Sequence, residues 1–431
     1  MVRRPRPWSS EKVLSLPPEL ASFIQWNPVR WLLGCRPFGS VEVSTSDPGA
    51  GRPRIVHIGS DSQFLQFAAK SFESVAPGAN EYIVLTDSDP AQLRFPIPEG
   101  TVQVVSPYPR GLLKIGLGLG RCDMIIAHSM TAHAALAFVL ARKRVATVWS
   151  GWGFDYYGSD KSPNDGLLGD ATRSLSQTLA RREVVGQRPL NRAVDSLWNP
   201  FARMLIRRAA ARANYFSAPV PTDEQVFRNR FPRFQGKYRQ LSYASVNDTF
   251  ALGGAPNGDF EGILIGNSAS LANNHLEAFE MLSRVGIGNR KVVVPLSYGD
   301  LAYRDVLLAC GRELFGDAFR PLVQPLPLDE YATLVANCDI VIMNHKRQQA
   351  LGNIGAALYH GAHVFFDPVN PAFTFLRSRG AAVYSVAQLQ RNGIPARRAT
   401  AEEVTNNRRV LESFWGTDQV RRNVERLLAP R

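Results

Sequence analysis

The sequence has few cysteines, no long hydrophobic run and no internal repeat, and each absence excludes a class of protein. The four cysteines are widely spaced with no CxxC pair, so we expect buried thiols in a reducing compartment rather than disulfide bridges. No run approaches about 18 apolar residues, so no segment is expected to span a bilayer. Pro17 and Pro18 interrupt the only apolar stretch behind the basic N-terminus, which makes that stretch a poor signal peptide.

Composition indicates a globular chain with an excess of positive charge. Its 431 residues exceed one ordinary domain, and 45% of them are hydrophobic, which is enough material for two cores. Lysine and arginine exceed aspartate and glutamate, and the formal net charge is +13. This charge favours an anionic partner, which leaves nucleic acid, a phosphorylated ligand and an acidic membrane surface open.

Short β-branched runs alternate with helical patterns along most of the chain, which predicts parallel sheets covered by helices on both faces. The fold class is therefore α/β, with two doubly wound Rossmann-like domains facing across a cleft. The predicted division is a loosely ordered extension (1–52), a first domain (53–250, with an excursion at about 159–198), a linker (251–260), a second domain (261–400) and a helical C-terminal segment (401–431).

One stretch of the second domain has the pattern of a phosphate site. Asp339–Met343 is predicted as a buried strand, and a polar loop leads from it into a helix beginning at Gly352 and Asn353. A helix N-terminus after a strand favours an anion. Four side chains before the helix add charge and hydrogen-bond donors: Lys346, Arg347, Gln348 and Gln349. An ordinary strand–helix–strand crossover is the alternative.

A second loop of this domain follows the predicted strand Gly262–Gly266. Gly266, Asn267 and Ser268 form a small, donor-rich turn at the carboxyl end of that strand, where ligands meet such sheets. The alternative is a tight turn in which the polar side chains cap the next helix.

The loop that begins at Ser150 is the best candidate for chemistry in the first domain. Trp152 and Tyr157, with Tyr156, offer faces for sugar stacking, and Asp155 is the carboxylate in reach. We expect Asp155 at the reacting centre, as catalytic base or as the group that orients an acceptor hydroxyl. An aromatic turn packed in the core is the alternative.

Four further first-domain residues lie at predicted strand ends. Gly59 and Ser60 precede Asp61, the rival of Asp155 for the catalytic role. His128, at another strand end, is a further catalytic candidate, while His57 is predicted to be buried in its strand. Asp87 and Asp89 resemble the metal-binding Asp-X-Asp of a different sugar-transferase fold, but the surrounding turn residues favour a surface turn, and no metal site is predicted.

A basic helix is predicted after Asn199 and Pro200, which suit a cap and a first-turn proline. Its arginines form two pairs one turn apart, at Arg203 and Arg207 and at Arg208 and Arg212. The pattern is typical of a helix lying on an anionic membrane. A solvated basic face is nearly as good an interpretation.

Several motifs together resemble a known family. They are His57–Asp61, Trp152–Asp155 with Tyr157, Gly266–Ser268 with Asn274–Leu276, Val292–Pro295 with Tyr298, and Arg347–Gln349 with Gly352. This set resembles the 4-acetamido-4,6-dideoxygalactosyltransferases of glycosyltransferase family 56, which act on lipid II of enterobacterial common antigen with a dTDP-sugar donor. The similarity covers residues 54–385 and is strongest over 262–375.

The resemblance implies a GT-B enzyme bound peripherally at the cytoplasmic face of the bacterial inner membrane. The donor nucleotide would lie against the second domain and an undecaprenyl-diphosphate-linked saccharide against the first, with no cofactor. The chain departs from the family in its first 50 residues and at 159–198, and both segments are expected near the acceptor. The resemblance therefore also allows a related exopolysaccharide or O-antigen transferase.

Two interpretations from other classes stay open at this point. The charge permits a non-catalytic protein that binds nucleotide sugars or nucleic acid, although no nucleic-acid module is recognised and no nucleic-acid partner is expected. A metal-dependent GT-A transferase would use Asp87 and Asp89 instead.

Overall fold

The computed structural model of the chain describes residues 53–429, apart from 98, 108–110, 113, 116–121, 159–165, 187–188, 255 and 257–261. The predicted N-terminal extension and Cys35 therefore lie outside the described residues, as does much of the predicted linker. The other three cysteines are free and buried, as predicted.

The described strands in chain order are β1 Ile55–Ser60, β2 Asn80–Leu85, β3 Thr101–Val105, β4 Met124–His128, β5 Ala146–Ser150, β6 Tyr215–Ser217, β7 Lys237–Tyr238, β8 Gly262–Ile265, β9 Lys291–Pro295, β10 Phe319–Leu322, β11 Cys338–Met343, β12 His363–Phe366 and β13 Val383–Ser385. The strands predicted at Gly262–Gly266 and Asp339–Met343 are present as β8 and β11, each with one end shifted by one residue.

The described α-helices in chain order are α1 Gln63–Glu73, α2 Ala132–Leu140, α3 Phe154–Tyr157, α4 Asp170–Gly186, α5 Pro189–Arg212, α6 Asp223–Arg230, α7 His275–Val285, α8 Leu301–Phe315, α9 Leu328–Asn337, α10 Leu351–Tyr359, α11 Pro371–Ser378, α12 Val386–Asn392, α13 Ala401–Trp415 and α14 Thr417–Leu428. Among the described residues no helix is both long and apolar enough to cross a membrane.

The chain separates into two compact units. Within the described residues, the first unit comprises 53–157, 189–248 and 412–429, and the second comprises 158–186 and 249–411. Each unit is built on its own sheet, and the units are described separately below.

The first unit holds a parallel sheet with the strand order β3-β2-β1-β4-β5-β6-β7. The order reverses between β1 and β4, where Ile58 lies opposite Ala127. Helix α1 covers one face because its apolar residues Leu65, Ala69 and Phe72 recur at helical spacing and are buried. All strands being parallel, their carboxyl ends meet at one edge of the sheet.

The second unit holds a parallel sheet with the strand order β10-β9-β8-β11-β12-β13. Strands β8 and β11 are buried along their whole length, which explains their continuous apolar sequence. Helix α10 packs Ile354 and Leu358, one turn apart, into this core. The reversal of strand order between β8 and β11 marks the edge where ligands bind in such sheets.

Residues 166–186 differ from the prediction, which placed them in an excursion of the first domain. Leu168 and Leu175 belong to the core cluster of the second unit. The Glu277 carboxylate on α7 accepts hydrogen bonds from Thr172 N (2.9 Å) and Oγ1 (2.6 Å). A Cβ on Gly169 would collide with the same carboxylate, so glycine permits the close approach.

The basic helix also differs from the prediction. Helix α5 begins at Pro189 rather than at Asn199, and Pro200 lies inside it. Burial of Leu205 and Ala209 in the first-unit core outweighs the hydrogen bond that this proline cannot donate.

The C-terminal segment is helical, as predicted, and is interrupted at Gly416. Its end packs on the first unit. Val424 and Leu427 of α14 share a core cluster with Ile55 and Phe72.

Candidate functional site

Three loops meet at the carboxyl edge of the second-unit sheet, after β8, β9 and β11. Gly266 ends β8 with φ +65°, and a Cβ there would lie 2.7 Å from His275 Nε2, so this position requires glycine. Gly299, after β9, has φ +119° and faces the Ala269 backbone, with which it forms a bridge. The first two loops are thus joined by their backbones.

Side-chain amides tie the third loop to the other two. Gln349 Nε2 donates to Asn267 Oδ1 and to Asn273 Oδ1, both at 2.9 Å. Asn267 Nδ2 donates to Tyr298 Oη at 3.0 Å, and Asn273 Nδ2 donates to Ser268 O. The structure therefore brings together five predicted site residues: Gly266, Asn267, Ser268, Tyr298 and Gln349.

Asn274 and Asn344 join two of these loops by reciprocal hydrogen bonds. Asn274 Nδ2 donates to Asn344 O, and Asn344 Nδ2 donates back to Asn274 O, both at 3.1 Å. Asn274 Oδ1 also accepts from Gly169 N at 2.8 Å, and Lys346 Nζ approaches Leu168 O at 3.4 Å. The segment before α4 therefore borders this site, which the sequence analysis had not foreseen.

Buried polar atoms without a hydrogen-bond partner concentrate in this part of the described chain. They are both ring nitrogens of His275, Nε2 of His345, and the Oε1 atoms of Gln348 and Gln349. An unpaired buried polar group costs about 1–3 kcal/mol, so ordered water or a ligand is expected at such a concentration. Burial lowers the pKa of His275 and of His345 to about 3, so both rings are neutral at pH 7.

Helix α10 presents its N-terminus at the same edge. Ala350, its N-cap, is left-handed with φ +57° and makes no side-chain cap bond. Around Gly352 a Cβ would find no atom within 4 Å, so the first turn borders open space. Arg347 is buried beside this turn, while Asn353 Nδ2 donates to Tyr331 Oη (2.8 Å) and is held within the unit.

At the first-unit edge, both predicted carboxylates are occupied by N–H donors. Asp61 accepts from Arg94 N (2.8 Å) and Phe95 N (3.0 Å). Its two oxygens thus hold the loop after β2, beyond Gly59 and Ser60. This geometry suits a loop anchor better than a proton acceptor.

Asp155 has three N–H donors. Oδ2 accepts from Trp149 Nε1 (2.7 Å) and Met130 N (2.9 Å), and Oδ1 accepts from Trp152 N (2.9 Å). Burial raises the pKa of Asp155, and the three hydrogen bonds oppose that rise. The carboxylate therefore joins the loop after β4 to the Trp152 loop.

The hydroxyls of Tyr156 and Tyr157 are both engaged within the first unit. Both hydroxyls donate to the buried carboxylate of Asp223, that of Tyr157 at 2.6 Å. Because Asp223 is far away in the sequence, the local pattern could not show this structural role.

A different set of aromatics is exposed beside Trp152. Phe64 and Phe154 are 42% and 55% exposed. The Trp152 ring lies 5.3 Å from Phe64 and 6.4 Å from both Phe154 and Tyr243. The sequence analysis missed Phe64 and Tyr243, although the apolar Phe64 at the polar start of α1 was a usable signal. We call Phe64, Trp152, Phe154 and Tyr243 the aromatic group.

The remaining predicted positions are structural or at the surface. Asp89 accepts from Ala91 N and Asp87 from Ser106 Oγ, as expected of a surface turn. Arg212 donates to the carbonyls of Phe138 and Ala141 at the end of α2, which corrects its assignment to the basic face. His128 is buried at the end of β4 beside His57, 3.0 Å from it.

Residues 247–409, which make up most of the second unit but leave out its segment before residue 187, match the family model described as 4-alpha-L-fucosyltransferase, glycosyl transferase group 56. The chain is a glycosyltransferase. The match confirms the resemblance noted in the sequence and displaces the interpretation as a non-catalytic binding protein.

Solved structures confirm that the transferase has a GT-B-type fold, which excludes the GT-A alternative. Anabaena HepE (Alr3699), in complex with UDP and glucose, is 13% identical with a TM-score of 0.59, covering 88% of this chain and 99% of that one. Sucrose-phosphate synthase from Thermosynechococcus elongatus is 10% identical with a TM-score of 0.59, and the match covers 87% of this chain and 98% of that one. A trehalose-6-phosphate protein from E. coli, bound with UDP-2-fluoro glucose, is 10% identical with a TM-score of 0.59, and the match covers 88% of this chain and 100% of that one. At these identities the likeness shows the fold alone.

Because the transferase buries neutral histidines, we predict that its free energy of unfolding falls in acid. His275 has a pKa of about 3 in the folded state, against 6.5 without the burial. Below pH 6.5 the unfolded chain therefore binds a proton that the folded chain does not, and the free energy of unfolding falls by up to about 1.4 kcal/mol per pH unit for this group. Urea unfolding between pH 6 and 4.5 should show a shallower pH slope for His275→Gln, with equal slopes for both proteins above pH 7. Equal slopes in acid would contradict the assignment.

Proposed function

We propose that the transferase moves a dideoxy-acetamido sugar from a dTDP-linked donor to a polyprenyl-diphosphate-linked saccharide in bacterial surface polysaccharide synthesis. The observation that carries the proposal is the family match over 247–409, which falls on the unit with the polar, glycine-dependent loops. The donor sugar, the nucleotide and the acceptor are those that the resemblance of the motif set to family 56 implies.

The donor diphosphate is assigned to the N-terminus of α10 in the second unit. Its first N–H groups have no intrahelical partner, and the helix dipole attracts an anion there. Arg347 and Lys346 add positive charge on the preceding loop, and the space around Gly352 is open to a ligand. Two of the structurally similar proteins are described with UDP or a UDP-sugar, which supports a nucleotide donor.

The substitution Gly352→Val is predicted to weaken nucleotide binding without unfolding the protein. The added side chain enters space that is empty around the helix but needed by a diphosphate, whose interaction with a helix N-terminus is worth up to about 2 kcal/mol. Calorimetric titration with dTDP should show up to about thirtyfold weaker binding. Ala401→Val, at the exposed first turn of α13, is the matched control. Unchanged dTDP affinity in Gly352→Val would remove the diphosphate from this helix.

The acceptor saccharide is assigned to the aromatic group of the first unit. Partly exposed rings of tryptophan, phenylalanine and tyrosine present apolar faces of the size of a sugar ring. Gly59 and Ser60 lie at the same sheet edge as the Trp152 loop. In this proposal Asp155 acts by holding that loop, since both its oxygens are already occupied.

The substitution Asp155→Asn distinguishes a residue that positions the Trp152 loop from a catalytic base. The substitution places an NH₂ group against one of the three N–H donors, so the Trp152 loop should shift and the acceptor KM should rise together with a loss of kcat. A catalytic base would instead lose roughly 10²–10⁴ in kcat with the acceptor KM unchanged. Steady-state kinetics with varied acceptor distinguish the two, and Asp61→Asn is the matched control for the second anchored carboxylate. An unchanged acceptor KM would refute the positioning role.

We further propose that α5 rests on the anionic cytoplasmic face of the inner membrane. Arg203, Arg207 and Arg208 are exposed on it, and Phe201 and Met204 are exposed among them. Basic residues attract anionic lipid while apolar side chains enter the interface. The protein would thus be peripheral.

Charge reversal on α5 tests this membrane contact. Each basic residue near an anionic surface contributes on the order of 1 kcal/mol, so Arg207→Glu should weaken co-sedimentation with phosphatidylglycerol-containing vesicles about tenfold at low salt. Added salt should release the native protein too. Arg391→Glu, exposed on α12, is the control for net charge. Salt-independent binding, or none, would contradict the proposal.

A further inference from the structure

An exposed aromatic ring lies at the carboxyl edge of the second-unit sheet. Tyr298 follows the end of β9 in the chain and is 60% exposed. An open aromatic face can stack on a flat ligand, as tyrosine rings do with heterocyclic bases. Single exposed rings are common on protein surfaces, so exposure alone assigns no role to this residue. What distinguishes Tyr298 is how firmly it is held.

The backbone of Tyr298 is fixed by the loop after β8. Ala269 N donates a hydrogen bond to Tyr298 O at 2.8 Å, and Asp300 N donates to Ala269 O at 2.9 Å. Between these two bonds Gly299 has φ +119°, and a Cβ there would lie 2.6 Å from the carbonyl carbon of Ala269. Glycine therefore permits the close approach of the two loops that sets the position of Tyr298.

The hydroxyl end of Tyr298 is held as well. Asn267 Nδ2 donates to Tyr298 Oη at 3.0 Å, and Gln349 Nε2 donates to Asn267 Oδ1 at 2.9 Å. Gln349 directly precedes Ala350, the N-cap of α10. Two hydrogen bonds thus connect the Tyr298 hydroxyl to the residue next to the start of this helix. A ring held at its backbone and at its hydroxyl presents its exposed face in one orientation.

Tyr331 provides a second connection between Tyr298 and α10. Asn353 Nδ2, in the first turn of α10, donates to Tyr331 Oη at 2.8 Å. Burial raises the pKa of Tyr331, and the nearby Tyr298 hydroxyl adds to that rise. Tyr298 therefore lies beside the first turn of α10, and a ligand bound at that turn has the exposed ring within reach of its neighbouring groups.

The other exposed large side chains at this part of the edge are apolar. Leu301 begins α8, and Leu326 and Leu328 follow β10, the strand next to β9. A hexose brings several hydroxyls that need hydrogen-bond partners, whereas a heterocyclic base offers two apolar faces. Because the Tyr298 hydroxyl is already engaged by Asn267, the exposed ring suits a base better than a sugar.

We propose that the ring of Tyr298 stacks on the heterocyclic base of the donor nucleotide. This placement rests on the proposed function, in which the diphosphate binds where α10 begins. The base then lies on Tyr298 and the ribose between the ring and the helix. Stacking uses the face of the ring and not its hydroxyl, so Asn267 and Gln349 are positioning residues that set the orientation of the ring. Since every base has a π-face, the contact supplies affinity for any nucleoside diphosphate.

Calorimetric titration of the full chain with dTDP and with inorganic pyrophosphate tests the stacking contact. Tyr298→Leu, which removes the ring, should bind dTDP about five- to 150-fold more weakly and should bind pyrophosphate, which has no base, as the native protein does. Tyr298→Phe keeps the ring and should retain most of the dTDP affinity. Tyr359→Leu, a partly exposed tyrosine at the opposite end of α10, is the matched control and should match the native protein with both ligands.

Proton NMR of the bound nucleotide reports the stacking itself. The ring current of Tyr298 should move the H6 and 5-methyl resonances of bound thymine upfield in the native protein and in Tyr298→Phe. At saturating dTDP this upfield shift should be lost in Tyr298→Leu, a change that a purely structural role of the residue would not produce. Unchanged dTDP affinity in Tyr298→Leu, equal losses of dTDP and pyrophosphate affinity, or the same thymine shifts with and without the ring would each overturn the proposal.

Titrations with UDP and GDP separate this proposal from the proposed function. If the native protein binds UDP or GDP but not dTDP, and Tyr298→Leu loses that affinity while Tyr359→Leu keeps it, the dTDP-linked donor is removed and the stacking contact stands. If the native protein binds dTDP and Tyr298→Leu binds it equally well, the stacking contact is removed and the proposed donor stands. Binding of none of the three nucleotides would overturn both.

Discussion

The structure depends on one constraint: in a parallel sheet every strand ends at the same edge, so the loops there must reverse the chain within a few residues. In the second unit this is achieved by left-handed backbone at Gly266, Asn274 and Ala350. At the two non-glycine positions such backbone costs on the order of 1–3 kcal/mol each. The reciprocal amide bonds of Asn274 and Asn344 offset part of that cost.

The polar groups at the two edges are built differently. The second unit gathers amide oxygens and neutral rings that lack partners among the described residues, next to a helix N-terminus and an arginine. The first unit uses the carboxylates of Asp61 and Asp155 to hold loops, and among its described residues Trp152 Nε1 is a buried donor without a partner. Neutral acceptors and fixed dipoles, rather than free carboxylates, therefore dominate the chemistry that the described residues can offer.

Sequence patterns predicted the features that depend on residues close together in the chain. Strand positions follow from short β-branched runs, and the site loops follow from glycine and asparagine after strand ends, so β8, β11 and Gly266 were predicted closely. The roles of Tyr157 and of the segment before α4 were not, because they depend on partners far away in the chain. Thr172 and Glu277 are 105 positions apart, and Tyr157 and Asp223 are 66 apart. Such pairings arise from tertiary packing, and no period in the sequence encodes them.

The central claim is that a nucleoside diphosphate binds where α10 begins in the second unit. Hydrogen–deuterium exchange with and without saturating dTDP tests it most directly, because the first N–H groups of a helix have no intrahelical partner and exchange fast until a ligand accepts from them. We expect slower exchange in peptides covering 344–353 and 266–269, with α14 unchanged as an internal reference. Unchanged exchange at 344–353 with the nucleotide demonstrably bound would contradict it.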